Sequence, residues 1–116
     1  MTNTKKDLGI FSLSLNVKDI EKSYAFYKKL GFKSIDGAIE QKWLVLKNGT
    51  TKIGLFQGMF PNNMITFNPN DARTVYKDLQ SKEVNINFSS GLDSQEGPVS
   101  FSITDPDGNP ILIDQH

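Results

Sequence analysis

One histidine and one carboxylate near the carboxyl terminus form the chemically strongest pair in this sequence. Asp114 lies two residues before His116, so both side chains would share one face of a strand that continues to the end. An imidazole beside a carboxylate can act as a general base. The alternative is a frayed terminal histidine beside a solvated aspartate, which is common at chain ends. Asp114 and His116 are therefore the catalytic candidates, and both interpretations stay open at the level of the sequence.

Other catalytic groups are scarce. The chain has no cysteine, which excludes disulfides, thiolate metal ligands and a cysteine nucleophile. None of its serines lies in a strand-to-helix elbow, and a single histidine is present to activate one. We therefore expect the serines to supply polar groups to a pocket rather than to act as nucleophiles. Gly91 and Gly97 flank a loop without a Walker or dinucleotide-binding pattern. The sequence therefore predicts no cofactor.

Charge and hydropathy exclude several classes of partner. Thirteen Lys and Arg residues balance thirteen Asp and Glu residues, and the basic runs are the pairs Lys5-Lys6 and Lys28-Lys29. This balance argues against a nucleic-acid-binding surface. No stretch approaches the roughly 18 apolar residues that cross a bilayer, and no secretory signal pattern is present. We expect a cytoplasmic protein of one domain, residues 1–116, without nucleic-acid or membrane partners.

A repeated pattern organises the chain. Alternation of apolar and polar residues over 11–17 predicts a strand, and Asp19 is a good N-cap for the helix that follows. That helix is expected to bury Ile20, Tyr24, Tyr27 and Leu30, and to end at Gly31. Asp71 lies 52 residues after Asp19 and follows a second apolar strand in the same way, so a second helix is expected with Asn70 or Asp71 as its cap.

The remaining segments complete two similar halves. The hairpin signals Asn48-Gly49 and Asp107-Gly108 each lie between apolar runs. Predicted strands cover residues 32–39, 41–46, 52–57, 64–68, 84–88 and 99–104, with a final strand after Gly108. Residues 58–63 connect the halves, and residues 89–98 form a loop that is a candidate lid or rim. The sequence thus predicts an α+β chain of two βαβββ modules, at about residues 8–58 and 63–116.

Strand periodicity predicts which side chains the helices leave uncovered. Apolar residues such as Phe11, Leu13 and Leu15 should pack on the helices, so their neighbours point to the other face. That face is mostly small and neutral, with Phe56, Met64 and Leu112 as its apolar members and Trp43, Phe60 and Phe88 as further candidates. The alternative is an ordinary solvated sheet face. The predicted ligand-binding residues are Ser12, Ser14, Trp43, Gly54, Phe56, Met64, Thr66, Ser102, Leu112 and Asp114.

Two segments carry a family resemblance. LSLNVKDIEKSYAFYKKLGF and SFSITDPDGNPILIDQH are similar to the opening and closing motifs of the vicinal oxygen chelate superfamily, which includes glyoxalase I, extradiol dioxygenases and bleomycin-resistance proteins. The resemblance implies paired βαβββ modules in a curved mixed sheet and a homodimer. It also implies that metal-dependent members carry His or Glu at four inward strand positions. The matching residues here are Ser12, Gly54, Met64 and Leu112, so no metal is expected.

The resulting hypothesis is a metal-independent small-molecule-binding protein. By resemblance to the bleomycin-resistance branch, we expect binding rather than turnover, with a compact and mostly neutral organic ligand. Only Asp114 is charged among the predicted lining residues, and a buried cation would need paired carboxylates. Two alternatives remain: a glyoxalase-type lyase or isomerase that uses Asp114 and His116 with unrecognised metal donors, and a structural or regulatory dimer without a ligand.

Overall fold

The first βαβββ module forms a mixed four-stranded sheet with one helix packed on it. A computed structural model describes residues 7–115 of the chain. The strand order in this sheet is β2-β3-β4-β1, with β1 parallel to β4 and the other pairs antiparallel. A single 3-10 turn, Ile39–Gln41, precedes the third strand. The elements are β1 (Ile10–Val17), α1 (Ile20–Lys29), β2 (Lys33–Ala38), β3 (Trp43–Asn48) and β4 (Thr51–Gln57).

Local signals define the ends of α1. The Asp19 carboxylate accepts hydrogen bonds from the amides of Glu21 and Lys22, at 3.1 and 3.2 Å. These bonds satisfy two amides that have no partner inside the helix. The helix ends before Gly31, whose φ of +100° suits a residue without Cβ. Ile20 then packs with Leu44, Leu46, Ile53 and Leu55 in a buried cluster beneath the helix.

The second module repeats this arrangement. Its strand order is β5-β8-β7-β6, with β5 parallel to β8 and the other pairs antiparallel. The Asp71 carboxylate accepts from the Thr74 amide at 3.0 Å and caps the helix, which packs Ala72 and Val75 against Phe101. The elements are β5 (Met64–Asn68), α2 (Ala72–Ser81), β6 (Phe88–Ser90), β7 (Val99–Thr104) and β8 (Pro110–Gln115). The predicted α+β fold of two βαβββ modules is confirmed.

The chain divides into two units close to the module boundaries. The first unit contains residues 12–64, and the second contains residues 65–115 together with residues 7–11. The short N-terminal segment lies against β5, where the ring of Phe11 meets that of Phe67 edge-on at 6.0 Å. A Cβ on Gly9 would lie 2.1 Å from the Asn68 carbonyl oxygen, so only glycine fits this approach. No helix within residues 7–115 is long and apolar enough to cross a membrane.

Several predicted boundaries and burials are wrong. The third strand begins at Trp43 rather than at residue 41, because residues 39–41 turn and Lys42 takes a φ of +70°. Strand β6 is Phe88–Ser90 rather than 84–88, because Val84 instead donates its amide to the Leu79 carbonyl at the end of α2. Phe11 and Leu30 were expected to be buried, but they are 53 % and 55 % exposed.

Candidate functional site

Each sheet has one face covered by its helix and one that we call the helix-free face. In the first unit, Leu13, Leu15 and Ile53 pack on the helix side. Strand alternation therefore places the intervening side chains on the helix-free face. Cross-strand register aligns them in rows. One row contains Ser14, Gly54 and Val45, and the next contains Asn16, Phe56 and Trp43.

Three aromatic side chains, which we call the aromatic cluster, lie together on this face. The rings of Trp43 and Phe56 are stacked with an interplanar angle of 6° and a centroid distance of 6.5 Å. Phe60 meets Phe56 edge-on at 5.1 Å. Each such pair adds about 0.5–1.5 kcal/mol beyond the burial of its area. The cluster brings together two predicted site residues, Trp43 and Phe56, with the further candidate Phe60.

The connector between the modules holds Phe60 in place. The Asn63 side-chain oxygen accepts from the Asn16 amide at 2.9 Å, and the Asn16 side chain donates to the Pro61 carbonyl at 3.4 Å. Both bonds tie the part of the connector that follows Phe60 to Asn16, near the end of β1. The position of the connector is therefore set by hydrogen bonds that strand periodicity cannot predict.

The Phe56 ring covers the backbone of Gly54. A Cβ built on Gly54 would lie 2.5 Å from the Cε2 atom of Phe56, so any side chain there requires the ring to move. Glycine at this position is thus a packing requirement of the aromatic cluster. The Phe56 ring therefore fills the space beside Gly54 on β4.

A row of lysines lies on the same face and was missed by the sequence analysis. Lys47 pairs with Lys33 on one side and with Lys52 on the other. Because Leu46 and Ile53 point to the helix side, these lysines belong to the helix-free face. The alternation through the Asn48-Gly49 hairpin contained the signal for Lys47 and Lys52. Lys33 could not be assigned, because a bulge between Ser34 and Asp36 shifts its register.

The predicted residues of the second unit lie on its own helix-free face. Thr66, Leu112 and Ser102 form one cross-strand row, and all three are buried. Phe88 continues that row on β6. No buried side-chain nitrogen or oxygen within residues 7–115 lacks a hydrogen-bond partner. The row of Thr66, Leu112 and Ser102 therefore consists of buried, uncharged side chains.

The catalytic candidates are only partly described by the structure. Asp114 is half-buried and pairs across the strands with Ser100, and its carbonyl oxygen accepts from the Asn68 side chain at 2.8 Å. His116 lies outside the described residues. The pairing of Asp114 with His116 therefore stays a prediction.

The long loop of the second module is held to α2 by one arginine. The guanidinium of Arg73 donates to four backbone carbonyls, those of Gly91, Ser94, Glu96 and Gly97, at 2.8–3.2 Å. This clamp fixes residues 91–97 on the helix side of the module. Between the loop and α2 lies a groove of about 390 Å³, lined by Arg73, Tyr76, Lys77, Gln80, Leu92, Ser94 and Gln95.

The four positions that the resemblance assigns to metal ligands do not fit a divalent ion. Ser12 and Met64 offer a hydroxyl and a thioether, while Gly54 and Leu112 offer no donor atom, and all four residues are buried. Divalent ions in proteins require several converging imidazole, carboxylate or thiolate donors. Within residues 7–115, no three His, Cys, Asp or Glu side chains are grouped closely enough to hold a metal.

Comparison with known proteins identifies relatives of this fold. The model of the Glyoxalase/Bleomycin resistance protein/Dioxygenase superfamily matches residues 9–113. A search of curated proteins returns no significant match.

Three solved structures illustrate the similarity. A superfamily member from Vibrio splendidus 12B01 matches with a TM-score of 0.66 and 16 % identity, covering 91 % of this chain and 97 % of that one. Methylmalonyl-CoA epimerase from Mycobacterium tuberculosis matches at 0.73 and 14 %, covering 99 % and 92 %. A Legionella pneumophila structure described as an NAD-dependent benzaldehyde dehydrogenase matches at 0.70 and 20 %, covering 90 % and 97 %. At these identities the similarity shows a shared fold.

Proposed function

The chain belongs to the Glyoxalase/Bleomycin resistance protein/Dioxygenase superfamily, and we propose that it binds a small organic molecule without using a metal ion. The site is the helix-free face of the first unit. The observation that carries this proposal is the stack of Trp43 on Phe56, with Phe60 against its edge. Small-molecule sites combine apolar and aromatic walls with a few polar groups.

The neighbouring residues support an aromatic or flat apolar ligand. Trp43, Phe56 and Phe60 are each only partly buried, so their rings retain exposed surface. Ser14 and Asn16 lie in the adjacent strand on the same face, and both are uncharged. A planar molecule could extend the aromatic cluster by stacking, which favours offset or edge-on contact.

The metal-independent part of the proposal rests on donor chemistry. Ser12, Gly54, Met64 and Leu112 supply no imidazole and no carboxylate at the positions implied by the family resemblance. Because the lining has no such donors at these positions, the proposed function is binding without turnover. A homodimer and a cytoplasmic location remain predictions from the resemblance and the composition.

Fluorescence tests the location of the site, because Trp43 is the one tryptophan of the chain. We expect compounds with one or two aromatic rings to change Trp43 emission and to raise the melting temperature. A ligand present at a hundred times its dissociation constant stabilises the native state by about 2.7 kcal/mol. Phe56→Ala should weaken the binding.

The matched control is Phe88→Ala, which removes the same side chain from the helix-free face of the second unit. It should leave the affinity unchanged. A broad compound screen without any change in emission or melting temperature would contradict the proposal. Equal losses in Phe56→Ala and Phe88→Ala would contradict the assigned location.

Metal analysis tests the second part. Protein purified without chelators should contain well below one equivalent of zinc, nickel, manganese or iron per chain. A stoichiometric ion that survives dialysis would contradict metal independence and would favour the lyase or isomerase alternative.

A further inference from the structure

The lysine row gives the proposed site a charged end. Lys33, Lys47 and Lys52 occupy directly opposed positions on three neighbouring strands. Like charges that face each other across a sheet destabilise it. A bound anion would reduce the repulsion between neighbouring ammonium groups of the row.

The charged end and the aromatic end belong to one surface. On β4, Lys52, Gly54 and Phe56 alternate along the same face, and on β3 the sequence is Lys47, Val45 and Trp43. Each lysine lies four positions along its strand from the aromatic residue, which is about 13 Å between Cα atoms. Both strands thus present an aromatic group, a small spacer and an ammonium group in the same order.

The middle of this surface carries one carboxylate. Asp36 pairs with Val45 at the outer edge of the sheet, and its side chain accepts a hydrogen bond from the Gly37 amide at 2.8 Å. Gly54 and Ser14 continue that row as neutral residues. Among residues 7–115, this face therefore has three lysines at one end, one carboxylate at its edge, and aromatic rings at the other end.

We propose that this site selects an aromatic or flat apolar molecule that bears an anionic group, such as a carboxylate, at the end of a short spacer. The inference rests on the proposed function and adds the charge of the ligand. It changes the prediction of a mostly neutral ligand, which was made from lining residues that included no lysine. Ammonium groups bind anions as mobile point charges with three donors each, so the selection depends on charge more than on geometry.

A charge-matched pair of probes tests this inference. The probes are 4-phenylbutyrate and 4-phenylbutyramide, which share a phenyl ring and a three-carbon spacer and differ in the charge of the terminal group. Binding is measured by Trp43 emission and by calorimetry. At low ionic strength we expect the carboxylate to bind about tenfold more tightly, a difference of roughly one decade in dissociation constant. At high salt the preference should shrink, since screening acts on exposed charges.

Variants locate the preference. Lys47→Gln removes the central ammonium group and should reduce the ratio of the two dissociation constants several-fold, whereas Lys47→Arg should retain it. Lys77→Gln is the control, because Lys77 is an exposed lysine on α2 of the second unit. A thermal melt of Lys47→Gln checks folding, and its melting temperature should not fall, because the substitution removes two like-charge neighbours.

The outcomes separate the two proposals. Equal affinity for both probes, or an unchanged ratio in Lys47→Gln, would overturn the anionic preference while leaving aromatic binding intact. If neither probe binds at millimolar concentration, the proposed function loses its support for this ligand class and the anionic preference falls with it.

Discussion

In both modules, a glutamine at the end of the fourth strand binds the first amide of the helix. The Gln57 side-chain oxygen accepts from the Ile20 amide at 3.0 Å, and the Gln115 side-chain oxygen accepts from the Ala72 amide at 2.7 Å. Each bond satisfies a helix-terminal amide that the N-cap aspartate does not reach. The two modules therefore repeat their scaffold down to single hydrogen bonds.

The helix-free faces of the two modules show the opposite behaviour. The first carries stacked rings and a lysine row, whereas the second carries the buried row of Thr66, Leu112 and Ser102. The connections differ as well. Arg73 clamps a long loop in the second module, and the residue 52 positions earlier in the first is Glu21. The two modules therefore share the groups that hold helix to sheet, whereas their helix-free faces and loops differ.

The largest expected effects come from the two cores, where the modules should behave alike. Leu55 and Phe101 are both 0 % exposed beneath their helices. Truncation to alanine leaves a cavity, so Leu55→Ala should cost about 2–5 kcal/mol and Phe101→Ala about 3–5 kcal/mol of unfolding free energy. Urea denaturation followed by circular dichroism measures both. Met59→Ala, at an exposed site, should change stability by less than about 0.5 kcal/mol. A loss as small as that for either core variant would contradict the assigned cores.

The glutamine bonds should give the next largest effects. Gln57→Ala and Gln115→Ala each leave a helix amide without its acceptor, at a cost of about 1–3 kcal/mol. Gln57→Glu should restore most of the loss, because it keeps an acceptor and adds a negative charge at a helix N-terminus. The same denaturation assay applies. If only one of the two alanine variants is destabilised, the scaffold equivalence of the modules does not hold.

The arginine clamp should act locally. Arg73→Lys keeps the charge but loses the planar fork that reaches four carbonyls, so residues 91–97 should exchange their amide hydrogens faster. Global stability should fall by about 1 kcal/mol or less, because a surface loop can open without unfolding the module. Glu21→Gln is the matched change in the first module and should leave exchange in the loop unchanged. Unaltered exchange in Arg73→Lys would show that other contacts hold this loop.

The smallest effect concerns the hairpin turns. Hydrogen bonds from the side chain and amide of Asn109, and from the amide of Asp107, lower the pKa of Asp105. A lowered native pKa adds stability above the pKa of the unfolded chain, and this stability is lost as pH falls through the native value. NMR titration of the Asp105 carboxyl carbon should give a midpoint below the usual aspartate range. The corresponding turn in the first module uses the neutral Asn48, which donates to the Leu30 carbonyl at 3.0 Å, so it should not respond to pH.

Sequence patterns determined the part of this protein that depends on neighbours along the chain. Asp19 was identified as a helix cap from residue type and position, and the second cap was narrowed to Asn70 or Asp71, of which the structure shows Asp71. Alternation assigned Ser14, Gly54 and Phe56 to their face. The same alternation placed the sixth strand too early, because Val84 is apolar but donates its amide to the end of α2. Periodicity shows the side to which a residue points, but not whether its backbone pairs with another strand.

The tertiary structure decided everything that depends on pairing between distant segments. The lysine row requires the register of three strands and one bulge, and the cover of Phe56 over Gly54 depends on a side-chain rotamer. The Arg73 clamp joins residues about 20 positions apart through backbone carbonyls that are the same for every residue type. Residue types along the chain therefore determined the modules, their caps and their faces. Register, ring orientation and loop contacts were set only by folding, because they depend on hydrogen bonds and packing between residues that are remote in the sequence.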